Sequence, residues 1–422
     1  IVKSQTGTSE FTIYVALMCE IMGKGCNMTS FEDFKKQRIQ KLMQKYNLEA
    51  LIATLPQNIY YMTGYESIGH ETLHSTQIFA IYDLRSEEYS LVIPRAEVPT
   101  AVERFPEYTM IPFGTFFFEF AHEGQGFNKI KSIMESSEAN LWQALNKAVK
   151  GLKINKGRVG LDESRISVQL WKQLEAEFPD IEFVPAVSIF GEIRMIKHQH
   201  EIGLLEKSAE IAEEAMMKVL LNLQEGTSEY ELGRQYIAEI AKRGAEPFFH
   251  VVTVDERTPL SDTINTDKKI KKGSIIRVDF GCIYCGYRSD LARTAAVGDS
   301  TSKLEEYYSA ILKGEEEAIA HIKPGIPAKD IFDIAVHETR KAGIPHYKRH
   351  HCGHGIGLEV YDPPIIAPGS DAILEEGMVL CVETPYYELG WAGVQVEDTI
   401  VVTKDGYRFL SKSSRDLIKV EI

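Results

Sequence analysis

The chain has 422 residues and a formal charge of −14 at pH 7. That length buries a sizeable core and leaves room for two or three domains, while the acidic balance argues against nucleic acid, whose phosphates need a basic surface. Six cysteines, Cys19, Cys26, Cys282, Cys285, Cys352 and Cys381, show no disulfide framework and fit a reducing cytoplasm.

Residues 1–27 start without Met and hold a short apolar run, Phe11 to Met22, interrupted by Glu20. The run is too short for a membrane span, and it lacks the basic n-region and cleavage site of a signal peptide. We read 1–27 as a leader or expression remnant. Met28-Thr29-Ser30-Phe31-Glu32 reads as a natural start, with Thr29 or Ser30 as a helix cap.

From 31 to about 190 the pattern is α/β. Phe34 to Tyr46 is a basic amphipathic helix, and Leu48 to Thr54 is a buried strand. Further strands are expected at Thr76–Asp83, Tyr89–Pro94 and Gly157–Leu161, and helices at Phe127–Val149 and Ser167–Phe178. Pro106 to His122 is rich in phenylalanine (Phe113, Phe116, Phe117, Phe118, Phe120). It reads as a core edge, or else as a wall of the substrate pocket, the partner subunit's included. A boundary falls near Phe190–His198, ahead of a long helix from Glu201 to Leu223. The domains are therefore expected at 28–190 and 191–422.

Beyond that helix, Ser274 to Phe280 is a β-type run, and glycines Gly281 and Gly286 lead into a second run through Thr294 to Val297. This hairpin carries Asp279 and Asp290, one on each arm. A second hairpin, Val379 to Pro385 and Trp391 to Val402, carries Glu383 and Glu397. Acids flanked by Val, Ile, Leu and Phe are rarely left unpaired, so each pair shares a proton or a cation. Between the hairpins lies His350-His351-Cys352-Gly353-His354-Gly355-Ile356-Gly357, whose glycines are expected to expose its histidines. Four carboxylates and an imidazole suit a pair of divalent ions of the manganese, iron, cobalt or zinc kind. Calcium takes oxygen ligands only, and a structural zinc favours cysteines. Cys282 and Cys285 form a C-x-x-C with no second pair, and read as small residues in a hairpin.

The stretches VDFGCIYCGYRSDLART, HCGHGIGLEV, VLCVETP and GVQVEDTIVVT resemble the motifs of the pita-bread metallohydrolases, the family of creatinase, aminopeptidase P, prolidase and methionine aminopeptidase. Arg38 to Tyr65 resembles the start of the creatinase and prolidase N-terminal domain, which methionine aminopeptidases lack. The resemblance implies an α/β (α+β) protein with a creatinase-like N-terminal domain and a C-terminal pita-bread domain. It implies two divalent ions, manganese foremost, and a homodimer. Asp290 and Glu397 would bridge the ions, Asp279 would complete one site, and His354 and Glu383 the other. A water shared by two such ions would ionise near neutrality. Glu383 would take its proton and pass it to a leaving nitrogen, and His350 matches a histidine that contacts the substrate carbonyl.

Three positions depart from the family's peptidases: Asp262 and Tyr361 stand where histidines are usual, and Gln395 where arginine is usual. With His250, these are the expected substrate-binding residues. The first functional reading is an Xaa-Pro aminopeptidase or dipeptidase acting on small peptides, with no membrane or nucleic-acid partner. The second is a creatinase-like C–N hydrolase or lyase acting on a small cationic or zwitterionic molecule. A non-catalytic binding module is a third, which normally loses ligands.

Overall fold

An unbroken apolar run needs cover on both faces. Ala50–Ala53 (β1) finds it inside a six-stranded sheet in the computed structural model, which describes residues 28–73, 76–120 and 125–422. The expected leader, 1–27, lies outside the described residues. The chain divides into two compact units between Ile193 and Arg194.

In the first unit the sheet continues with Phe79–Asp83 (β2), Glu88–Pro94 (β3), Thr109–Phe113 (β4), Gly157–Leu161 (β5) and Ile181–Pro185 (β6), in the order β4-β3-β2-β1-β5-β6. The β1–β2 and β2–β3 pairs are antiparallel, and the outer pairs are parallel. Three expectations change. The first helix spans Met28–Tyr46, so Thr29 and Ser30 lie within it rather than at its cap. The helix expected over Phe127–Val149 is two, Gln125–Glu135 and Leu141–Gly151. The break falls at Ser136 to Asn140, where the Asn140 side chain accepts from Gln143 N at 3.0 Å as the second helix's cap. The aromatic segment is not a core edge throughout, since Phe116, Phe117 and Phe118 are exposed, Phe117 at 85%.

The second unit is built on strict strand alternation. Its main strands are Glu246–Val254 (β7), Ile275–Tyr284 (β8), Tyr287–Arg288 (β9), Leu291–Val297 (β10), Gly353–Gly355 (β11), Asp362–Ile365 (β12) and Val379–Glu383 (β13). A two-stranded ribbon, Tyr386–Tyr387 (β14) with Gly393–Val394 (β15), leads to Glu397–Thr403 (β16), Gly406–Phe409 (β17) and Ile418–Val420 (β18). The sheet runs β12-β11-β13-β16-β10-β8-β7. On β8, Ile276, Val278, Phe280 and Cys282 pack with Ala212, Met216, Leu232 and Tyr236 of the helices Gln199–Leu221 and Glu229–Lys242. On β13 and β16, Leu380, Val382, Ile400 and Val402 pack with the helices Ser302–Ala320 and Ala328–Ala342. The intervening residues of these strands, Asp279, Cys381, Glu383, Glu397 and Thr399, are left to the other face. The helix expected from Glu201 begins at Gln199, because Glu201 closes a capping box on His198. Among the described residues, no helix is long and apolar enough to cross a membrane.

Asp162 ties the first unit together. Its fully buried carboxylate accepts from Thr54 N (3.0 Å), Leu55 N (2.8 Å), Asn58 Nδ2 (2.8 Å) and Ser164 N (2.9 Å). Burial alone would raise its proton affinity, but these donors outweigh burial and hold it below the usual carboxylate value. Asp162→Asn turns an amide N–H against donors, and should cost about 1–3 kcal/mol for each donor left unpaired. Two of the three tryptophans, Trp142 and Trp171, pack on this core. Urea unfolding followed by tryptophan fluorescence should show the loss at pH 7. Because the folded value is depressed, the difference between wild type and variant should shrink as pH falls below about 4, where the unfolded carboxyl protonates.

Candidate metal centre

The face of the second sheet turned away from the helices gathers the acids. β13 and β16 are antiparallel with Glu383 directly opposite Glu397. β8 pairs with β10 so that Asp279 lies opposite Ala292, and Ala292 lies opposite Glu397. Asp290 sits just before β10, at the end of the turn rather than on the arm. Gly281, inside β8, lets the segment before Asp290 approach closely, since a Cβ there would meet Ser289 O at 2.0 Å. Asp279, Asp290 and Glu397 each offer an oxygen, all within 4.8 Å of one another.

His354 is brought in by β11, opposite Cys381 on β13. The motif's glycines do not expose this histidine. They let strands approach: a Cβ on Gly353 would meet Cys381 O at 2.1 Å, and one on Gly355 would meet Pro363 O at 2.4 Å. His354 is 1% exposed. Its Nδ1 lies 3.0 Å from Gly355 O, which fixes the proton there and turns the Nε2 lone pair inward. That lone pair faces Asp290 Oδ2 at 3.5 Å and Glu397 Oε1 at 3.8 Å.

Acceptors thus confront acceptors. Burial, and next the neighbouring acids, push the Asp290 and Glu397 carboxyls well above the usual range. Asp279 is raised chiefly by the protein packed around it, although a fifth of its side chain touches solvent. Burial pushes Glu383 up to about 7, with Arg349 pulling the other way. Burial holds His354 down to about 4, so it is a neutral ligand at pH 7. Four carboxylates and a neutral imidazole with an inward lone pair fit divalent cations.

The other expected site residues divide. Gln395 is central: its Nε2 donates to Asp279 Oδ2 at 3.1 Å and lies 3.4 and 3.5 Å from Glu383 and Glu397 oxygens. Tyr361, 52% exposed, stacks on the His354 ring at 3.7 Å. Asp262 is exposed in the segment after β7, near enough to disfavour ionisation of Asp279 and Glu383. His250 is a correction. It pairs with Phe280, not Asp279, so it points to the helix side, against Tyr236 and Gly233. His350 is exposed with its ring edge on His351, and it is His351 whose Nδ1 lies 3.3 Å from Glu383 Oε1.

Sequence reasoning missed Arg277, Arg349, His351 and Tyr387. Arg277 is wholly buried and donates to Thr258 O (2.8 Å), Gln395 Oε1 (2.7 Å), Leu260 O (2.7 Å) and Ser261 O (3.0 Å), with Asp279 Oδ2 at 3.5 Å. A guanidinium therefore sits beside Gln395, delivered from β8 across the intervening β10, and it pins the segment that ends in Asp262. Arg349 Nη2 lies 3.5 Å from Glu383, and both guanidiniums lie over the Tyr387 ring. The available signal was an arginine inside the apolar run Ile275 to Phe280. Cys282 and Cys285 are not joined: Cys282 Sγ donates to Ser208 O at 3.3 Å, and Cys285 sits at the turn with φ of +50°.

Residues 203–404 match the family model for metallopeptidase family M24, and residues 35–196 match the creatinase/prolidase N-terminal domain. Residues 203–404 therefore carry an M24 metallopeptidase domain. An Xaa-Pro dipeptidase of Pyrococcus horikoshii is 29% identical over 386 residues, covering 91% of this chain and 98% of the relative. Among solved structures, an Xaa-Pro dipeptidase from Bacillus anthracis matches with a TM-score of 0.77 at 26% identity, over 92% of this chain and 99% of that one. Prolidase from Pyrococcus furiosus matches with a TM-score of 0.71 at 26% identity, over 89% and 99%. An M24 domain implies divalent metal ions, in accord with the donor set.

Asp290→Ala and Glu397→Ala should each strip metal from the M24 domain and remove nearly all activity. Elemental analysis of the purified variants checks this, and unchanged metal content in both would sink the ligand assignment. The metal-free protein should also carry a pH signature. A carboxyl raised in the fold to about 7, against about 4 unfolded, binds its proton more tightly when folded. Its contribution is full below about pH 4 and is lost as pH rises through 7. Calorimetry in chelator should show the melting temperature falling over that window, and divalent ions should raise it and flatten the slope. Coincident profiles with and without metal would contradict this.

Proposed function

We propose that this M24 enzyme is a dinuclear metallohydrolase that cleaves Xaa-Pro bonds in a dipeptide or at a peptide N-terminus. Manganese is the foremost metal, with cobalt, zinc or iron as alternates. The carrying observation is that Asp279, Asp290 and Glu397 offer oxygens within 4.8 Å of one another, with His354 facing Asp290 and Glu397 and with Glu383 directly opposite Glu397. The relatives' Xaa-Pro dipeptidase and prolidase names support the same substrate.

When bound, the ions supply Lewis acidity toward the substrate carbonyl and toward water. The protein's own part is proton handling and positioning. Glu383 takes a proton from the attacking water and returns it to the leaving nitrogen. Arg349 and His351 flank its Oε1 and fix its direction. Gln395, held by Arg277 and by Tyr387 Oη at 3.2 Å, keeps Asp279 oriented. Tyr361 closes one side of the His354 ring. His350, exposed beside His351, would meet a substrate carbonyl from the solvent side.

A second reading rests on Asp262 and Tyr361. All five N–H donors of Arg277 are engaged, so it offers nothing to a prolyl carboxylate. An exposed Asp262 and a tyrosine ring face would instead receive a cationic group, such as a guanidinium or sulfonium. We further infer a catalytic domain over 191–422 behind a creatinase-like domain over 28–190. We also infer a homodimer, for which the exposed Phe116–Phe118 patch offers apolar surface, and a cytoplasmic setting, which suits the four free thiols among the described residues.

The test is turnover of Xaa-Pro dipeptides and longer Xaa-Pro peptides against creatine and related small cations, with manganese supplied. Xaa-Pro cleavage that Glu383→Gln abolishes supports the proposal. Full metal occupancy with turnover only of the cationic molecules overturns it in favour of the second reading. Failure to hold metal would point to a binding role.

A further inference from the structure

The metal-facing side of β13 carries a second donor besides Glu383. Residues two apart on a strand share a face, so Cys381 points the same way, bracketed by His354 on β11 and Thr399 on β16. Its Sγ, a ring nitrogen of His354 and a carboxylate oxygen of Glu397 all lie within 4.8 Å of one another. The thiol is wholly buried, and its hydrogen-bonding contacts are long, at 3.6 Å to Asp290 O and 3.6 Å to Thr399 Oγ1. Cys282, by contrast, is turned to the helix side and bonded to Ser208, and Cys285 lies at a turn.

Besides Glu383, the donors therefore fall into two unlike groups that share Glu397. Asp279, Asp290 and Glu397 present oxygen alone, whereas His354, Cys381 and Glu397 present nitrogen, sulfur and oxygen. Oxygen donors suit manganese and other hard cations, while thiolate and imidazole select zinc, cobalt and cadmium.

We propose that Cys381 is a sulfur donor to the ion held by His354 and Glu397, making that half of the centre a mixed site selective for a thiophilic divalent cation. On binding, the S–H proton passes to solvent and the sulfur bonds the ion. The oxygen-only half keeps its preference for manganese, so the centre takes two different metals. The inference rests on the reading that these residues hold metal, and it goes beyond that reading by assigning Cys381 and the selectivity.

Cobalt(II) added to the chelator-stripped full chain is the probe. Wild type should show visible d–d bands together with a near-ultraviolet sulfur-to-cobalt charge-transfer band. Cys381→Ser should keep the d–d bands and lose the charge-transfer band, and Cys352→Ser should keep both. Cys381→Thr serves if the serine variant misfolds. Competition titrations should show cadmium affinity falling in Cys381→Ser by more than the roughly 10–100-fold that loss of a mere supporting contact produces, with manganese affinity nearly unchanged. Wild-type d–d bands without charge transfer would overturn the proposal, as would a charge-transfer band that survives in Cys381→Ser. Absence of both bands from wild type would overturn the metal-centre reading, and this inference with it.

Discussion

Mutual repulsion of four carboxylates in a buried space is the constraint on which the second unit is built. Asp279, Asp290, Glu383 and Glu397 come from three strands and one turn, and only the packing on the reverse of the sheet forces them together. Val278 and Phe280 on β8, with Leu380 and Val382 on β13, anchor each strand to helices, so the acids cannot swing apart without exposing core. The backbone register then puts Glu383 against Glu397. Arg293 reinforces this from behind, donating to Glu397 O at 2.7 Å and to Asp398 Oδ1 at 2.9 Å. A fold held this way is poised for cations: it has paid the desolvation cost before the ion arrives.

Side-chain hydrogen bonding decides what the unusual residues mean. Gln395 stands where the family usually has arginine, yet Arg277 brings a guanidinium to its side chain from β8, on the far side of β10. The charge has moved rather than vanished, and its donors are spent on Thr258, Leu260, Ser261 and Gln395. Asp262 and Tyr361 are not compensated in this way. They leave one approach to the centre acidic and aromatic where histidines are usual. On the proposed function, specificity would be set there and the chemistry by the ligand geometry.

Much of this was legible in the chain. Alternating apolar and acidic positions in Ser274–Phe280, Val379–Pro385 and Trp391–Val402 announce hairpins that are buried on one side and charged on the other, because strand side chains alternate with a period of two. The same period assigns Cys381 to the face of Glu383. Capping chemistry was legible only in part. Asn140 interrupts what periodicity reads as one helix, since the apolar positions on either side of the break stay in phase.

Contacts between distant segments were not legible, because no local pattern encodes them. His350 and His351 are adjacent and chemically identical, and only the packing of the segment decides that His351 reaches Glu383 while His350 stays outside. His250 lies on the strand beside Asp279, yet its register with Phe280 turns it to the opposite face. The glycines of the His354 motif fit ligand approach and strand approach equally well until β12 and β13 are laid against them. The sequence by itself determined which residues are candidate ligands in kind, the strands that carry them and the family resemblance, since these follow from residue type and short-range period. Which imidazole and which arginine join the acids was decided by tertiary structure alone, because strand register and sheet order, set by the packing of the whole unit, choose the face each side chain meets.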